Sequence, residues 1–170
     1  MRFWFRRRLV MESVTKNRKH QADIRRMAEQ AFPGLEVTMI AELKEGYFNA
    51  VYDVVLSDGR QVILKIAPHS DTLIMSYEKN IMYSEVNAMN LVRKRTEAPV
   101  AEIYAYDADC IICDAPYFFM EKISGCSLST VGGELPENEK SCIMQQVGKY
   151  TKQINSITGA KFGYPGQPDL

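Results

Sequence analysis

No stretch of this 170-residue chain approaches the roughly 18 consecutive apolar residues of a helical membrane span, which argues against a membrane protein. The opening residues 1–8 are basic and aromatic, but no apolar core region follows them, so they do not read as a secretory signal. Net charge is lacking as well: 21 Lys and Arg balance 21 Asp and Glu. No segment repeats. Histidine is confined to His20 and His69. The pair Cys110-x-x-Cys113 has no second C-x-x-C beside it, since Cys126 and Cys142 stand apart. A zinc site is therefore not expected. The four thiols read as reduced, which places the chain in the cytoplasm by default.

What is present fits one domain, or one domain and part of another, with 46% hydrophobic and 25% charged residues. Charge is unevenly spread. Residues 1–30 hold nine Lys or Arg against three Asp or Glu, and the remainder carries the opposite excess. Such an arm can serve nucleic acid or an anionic membrane. The favoured reading is a helix from Thr15 to Phe32, docked by Ile24, Met27, Ala28 and Ala31 with its charges in water. Nucleic acid is disfavoured because no aromatics are interleaved with the basic residues of this helix. Residues 1–10 fit no element, and Met11 is an equally good start site.

Pro33-Gly34 ends that helix, and three strands follow between Glu42 and Ala67. Gly46 and Asn49 sit in a tight loop between the first two, and Asp58-Gly59 marks a hairpin between the second and third. In Val62-Ile-Leu-Lys65-Ile66, alternation puts Lys65 on the face of Ile63 and Ala67. Either Lys65 faces water or something anionic is held against it. A helix capped by Ser70 or Asp71 then runs to about Arg95. On it, Glu85 is ringed by Ile81, Met82, Ala88, Met89 and Val92, so its carboxylate needs a partner unless it lies at the rim. Glu78 lies on the same stripe and is the rival. Lys65 and Glu85 each solve the other's burial problem, which predicts an ion pair within about 4 Å.

Strands near Glu102–Tyr106 and Tyr117–Glu121 complete a five-stranded sheet. A Ser/Thr/Gly-rich linker spans Ser127–Gly133, and a helix opens near Pro136. Ile143, Val147, Tyr150, Ile154 and Ile157 form an apolar stripe along it, and the segment after Gly159 reads as a loop.

This order of parts resembles the small lobe of the protein-kinase-like fold, and in detail the aminoglycoside phosphotransferase family, also called the phosphotransferase enzyme family. The matching residues are Gly46-x-x-Asn49-x-Val-Tyr52, Asp58-Gly59, Val62-Ile-Leu-Lys65, Glu85, the stretch around Pro99, Met120-Glu121 with Gly125, and Asn155-Ser-Ile157 leading to Phe162-Gly163. The resemblance implies an α+β fold: a five-stranded antiparallel sheet with one long helix, then a truncated helical region. It divides the chain into a basic extension (1–34), a nucleotide-binding small lobe (35–125), and a linker with the first helix of a large lobe (126–170).

It further implies that Lys65 holds the α/β-phosphates of ATP or GTP, that Glu85 orients it, and that Gly46 to Asn49 covers them with backbone N–H groups. The hinge, Glu121 to Ile123, would meet the purine edge through its backbone, with Met120 against the ring. The family's catalytic Asp and Mg²⁺ ligands follow a His-x-Asp pattern, and no such pattern occurs after Gly125. No catalytic or metal residue is therefore assigned, although Mg²⁺ is expected for the family. The expected protein is a kinase-type phosphotransferase for a small hydroxylated molecule, present as its nucleotide-binding part. The alternative is a non-catalytic nucleotide-binding or regulatory module. The exposed face of 143–157 would then seek a second copy or a complementing partner.

Overall fold

Along Ala50-Val-Tyr-Asp-Val-Val-Leu56, residues of one parity are Ala50, Tyr52, Val54 and Leu56, and all four are buried in one core with Val62, Leu64 and Ile66 of the next strand. That alternation sets the two-faced character of the sheet. The computed structural model describes residues 15–44 and 46–167, so the question of residues 1–10 and Met11 lies outside the described residues. The strands are β1 (Val37–Leu43), β2 (Ala50–Leu56), β3 (Gln61–Ile66), β4 (Ile103–Asp107) and β5 (Tyr117–Glu121). They form the expected five-stranded antiparallel sheet, and its strand order is β1-β2-β3-β5-β4. Its registers place Lys65 opposite Val51 on one side and Phe118 on the other.

Helix α1 (Gln21–Ala31) covers the outer face. Ile24, Met27 and Ala28 are fully buried there against the β2, β3 and β5 side chains, with Phe32 edge-on to Phe119 at 5.3 Å. The basic stretch is thus docked by the residues the sequence pointed to. It starts later than predicted, because residues 15–20 are not helical and their polar groups bond elsewhere in the chain.

The opposite face carries Lys65, Phe118 and Met120, and helix α2 (Ile81–Arg95) packs on it through Met82 and Val86. The predicted helix from Ser70 is a correction. A three-residue 3₁₀ turn, Ser76–Glu78, comes first, and Asn80 in the left-handed region (φ 54°) separates it from α2. Asparagine tolerates that conformation, so the chain breaks there. The Ser127–Gly133 linker also holds one helical turn, α3 (Leu128–Val131). Helix α4 (Glu137–Asn155) follows, and none of its residues is buried. Its apolar stripe is not covered by residues 15–32, which lie on the sheet.

Truncating Met27 to Ala removes a wholly buried side chain from beneath α1. We expect a loss of about 2–5 kcal/mol in denaturant unfolding, whereas Arg26→Ala on the same helix should stay within about 0.5 kcal/mol. Equal stability of the two variants would mean that α1 is not part of the cooperative unit.

Candidate functional site

Lys65 emerges from β3, the middle strand, where neither sheet edge is near enough for its ammonium to escape into water. Its Nζ lies 2.5 Å from Glu85 Oε1 and 5.4 Å from the centre of the Phe118 ring. The side chains are 18% and 33% exposed. Glu85 therefore stands at the rim of the α2 stripe and is also paired, which joins the two readings its surroundings allow. Glu78 takes no part. It lies before the break at Asn80 and accepts a hydrogen bond from the Met75 backbone N–H at 2.7 Å.

The loop between β1 and β2 turns at Gly46, whose φ of 89° suits only glycine readily. Asn49 Oδ1 is buried without a hydrogen-bond partner among the described residues. The segment before α1 braces this loop. Thr15 donates to the Tyr47 carbonyl at 2.7 Å, Lys16 to the Lys44 carbonyl at 3.1 Å, and Arg18 pairs with Glu42 at 2.8 Å. On either side of Arg18, Lys19 and Asn17 both donate to Asp114 Oδ1 in the β4–β5 connection, at 2.5 and 2.9 Å. Burial raises the Asp114 carboxyl, but the bonds from Lys19 and Asn17 outweigh it and hold the group below its ordinary range.

At the other end of the sheet, Met120 packs with Phe118, Met82 and Val86, while Ile123 is exposed. The Glu121 backbone N–H donates to the Glu102 carbonyl at 2.8 Å, and its side chain accepts from the Glu102 N–H at 3.1 Å. Between them Lys122 reaches back over the sheet to Asp53 (2.6 Å) and Gln61 (2.8 Å). Asp53 is a buried carboxylate on β2, and its second oxygen has no partner among the described residues. The sequence reading did not single out this second pair, although a lone Asp in an apolar strand is the same signal that drew attention to Lys65. A concavity of about 700 Å³ lies elsewhere, between the 67–80 loop, the start of α2 and the β4–β5 connection. Lys65, Glu85 and the hinge do not line it.

Residues 40–170 match the model of the phosphotransferase enzyme family. The chain belongs to that family. A subtelomeric hrmA-associated cluster protein of Aspergillus fumigatus is 34% identical over 73% of this chain and 24% of its own length. The Altered inheritance of mitochondria protein 9, mitochondrial, of Debaryomyces hansenii is 29% identical over 76% of this chain and 21% of its own. This phosphotransferase-family chain thus spans about a quarter of the length of the curated relatives it matches. Among solved structures, a protein assigned as an aminoglycoside phosphotransferase from Ralstonia eutropha aligns at 18% identity and a TM-score of 0.48, over 64% of this chain and 29% of that one. One assigned as a fructosamine-3-kinase from Thermobifida fusca aligns at 18% and 0.45, over 61% and 32%.

The sheet with α2 carries the candidate site of this phosphotransferase-family chain. Lys65 and Glu85 are brought together on it, Met120 sits on the same sheet face, Gly46 and Asn49 lie between β1 and β2, and Glu121 and Ile123 lie at and just past the end of β5. Among the described residues there is no group of three or more His, Cys, Asp or Glu side chains that could together hold a metal ion.

The Asp114 contacts carry a pH signature. Its folded pKa lies below the unfolded one, so its stabilisation is full above the ordinary carboxylate value of about 3.9 and fades as pH falls through the lowered value. Asp114→Asn should abolish that acid-side loss and speed hydrogen exchange of residues 15–19 at neutral pH. Unchanged exchange there would show that Asp114 does not anchor the segment.

Proposed function

We propose that this chain is the nucleotide-binding part of a kinase-type phosphotransferase that acts on a small hydroxylated molecule. The observation that supports it best is the 2.5 Å pair between Lys65 and Glu85. A half-buried ion pair of this kind contributes little net stability, because desolvation offsets most of the attraction. A fixed, partly desolvated ammonium is instead well suited to polyphosphate oxygens. In this reading Lys65 receives the α/β-phosphates of ATP or GTP and Glu85 fixes its position. The Gly46–Asn49 loop closes over the phosphates with backbone N–H groups. The Glu121–Ile123 backbone meets the purine edge, and Met120 lies against the ring. The four thiols are free, which supports a reducing compartment, and we place the chain in the cytoplasm. The relatives named as mitochondrial make a mitochondrial location the outcome to test against it.

Lys65→Ala should weaken binding of a fluorescent ATP analogue at least about tenfold, the loss expected for charge-assisted hydrogen bonds of about 1.5–3 kcal/mol. Equal affinity of the parent and Lys65→Ala would overturn the assignment. The 170-residue chain alone should transfer no phosphoryl group, because no His-x-Asp follows Gly125.

The α4 face belongs to the same proposal. Val147 and Ile154 are 49% and 39% exposed, and Ile143, Tyr150 and Ile157 are only partly covered. Each such residue gains about 1.5–3 kcal/mol on full burial. We expect the isolated chain to self-associate, and Val147→Lys with Ile154→Lys to render it monomeric in light scattering. A parent chain that is monomeric at micromolar concentration would remove the need for a partner on this face.

A further inference from the structure

The segment after α4 does not run free. It folds back to the first turn of α2, where Gln167 is 9% exposed and its side chain's nearest partner in sequence is 83 residues away. Its Nε2 lies 2.8 Å from the Asn80 carbonyl and 2.6 Å from Ser84 Oγ, with the Lys79 carbonyl at 3.5 Å. Ser84 is itself 3% exposed, and the next residue is Glu85. Gly166 seats the segment. Its φ is +81°, and a Cβ there would stand 2.7 Å from the Tyr83 ring and 2.9 Å from Asn87 Nδ2. The turn is closed by Gln167 N–H donating to the Tyr164 carbonyl at 3.0 Å.

Met82 and Val86 hold α2 to the sheet by apolar contact, and these hydrogen bonds add a polar tie at its first turn. Its N-cap, Asn80, is left-handed and makes no side-chain capping bond, and the preceding turn is separated by that break. A slide of one residue along a helix moves a side chain by about 1.5 Å, enough to take a carboxylate out of hydrogen-bond range of a fixed ammonium.

We propose that Gln167 is a positioning residue: through Asn80 and Ser84 it sets the first turn of α2, and so holds Glu85 on Lys65. Its consequence for nucleotide rests on the function proposed above, while its action on the ion pair does not. The chain beyond α4 thereby reports directly on the candidate phosphate-binding lysine.

The test uses the full 170-residue chain and two readouts: the rate at which Lys65 is acetylated by an amine-directed reagent, followed by mass spectrometry, and affinity for a fluorescent ATP analogue. An ammonium held on a carboxylate reacts more slowly than a released one. In Gln167→Ala, Lys65 should be labelled about fivefold faster, approaching Glu85→Gln, and nucleotide affinity should fall by a similar factor, as expected for one or two lost hydrogen bonds. Ser84→Ala, which removes one acceptor and little volume, should shift both readouts the same way by less. Added to Glu85→Gln, Gln167→Ala should change neither readout further. Parent-like Lys65 labelling in folded Gln167→Ala overturns the proposal, as does a full additive effect on the Glu85→Gln background. Should Gln167→Ala unfold, parent-like labelling in Ser84→Ala overturns it instead. If no variant and no parent binds nucleotide, the proposed function fails, but the labelling still decides the role of Gln167.

Discussion

A lysine on the middle strand of a covered sheet is the constraint around which this lobe is arranged. The β3 strand has β2 on one side and β5 on the other, and both of its faces carry helices. Lys65 can neither run along the sheet to an edge nor turn to the outer face, where Val62, Leu64 and Ile66 fill the core beneath α1. An ammonium so placed costs several kcal/mol in lost hydration unless a counter-charge meets it. Helix α2 supplies one, and its own apolar residues, Met82 and Val86, bind it to Phe118 so that Glu85 arrives beside Lys65. The pair is better understood as geometry than as stability: it holds a cation in one place with one side still open.

A second pair shows the same logic at the hinge. Asp53 is buried on β2 and is met by Lys122, which projects from just past the end of β5. Together with Gln61, the contact ties the hinge to two strands it does not follow in sequence. The sheet face is thus held by two ion pairs, one joining it to α2 and the other to the hinge.

Much of the fold was legible because it rests on short-range signals. Alternation along β2 and β3, the Asp58-Gly59 turn and the isolated charges at Lys65 and Glu85 each have a local physical cause, and the structure places them as those causes require. What was not legible depends on distant partners. Residues 15–20 have helix-compatible composition, yet Thr15, Lys16, Arg18 and Lys19 are drawn into bonds with the β1–β2 region and Asp114. The start of α2 was misplaced because an apolar spacing continues through Glu78 while the backbone breaks at Asn80. Asp53 carried a readable signal that was passed over. Gln167 carried none: a glutamine in a Gly/Pro-rich tail acquires meaning only when the chain folds back over α2.

The family match begins at residue 40, inside β1, yet the outer core is not complete without what precedes it. Ile24, Met27, Ala28 and Phe32 are buried against Leu56, Val62, Leu64 and Phe119. Without α1 those strand residues would face water, on the sheet side opposite Lys65. The same stretch of chain braces the β1–β2 loop through Thr15 and Lys16. Four of its basic residues bond within the molecule: Lys16 to the Lys44 carbonyl, Arg18 to Glu42, Lys19 to Asp114, and Arg25 to the Val37 carbonyl. Through these contacts α1 and its leading segment are fastened to the sheet, to the β1–β2 loop that turns at Gly46, and to the β4–β5 connection at Asp114.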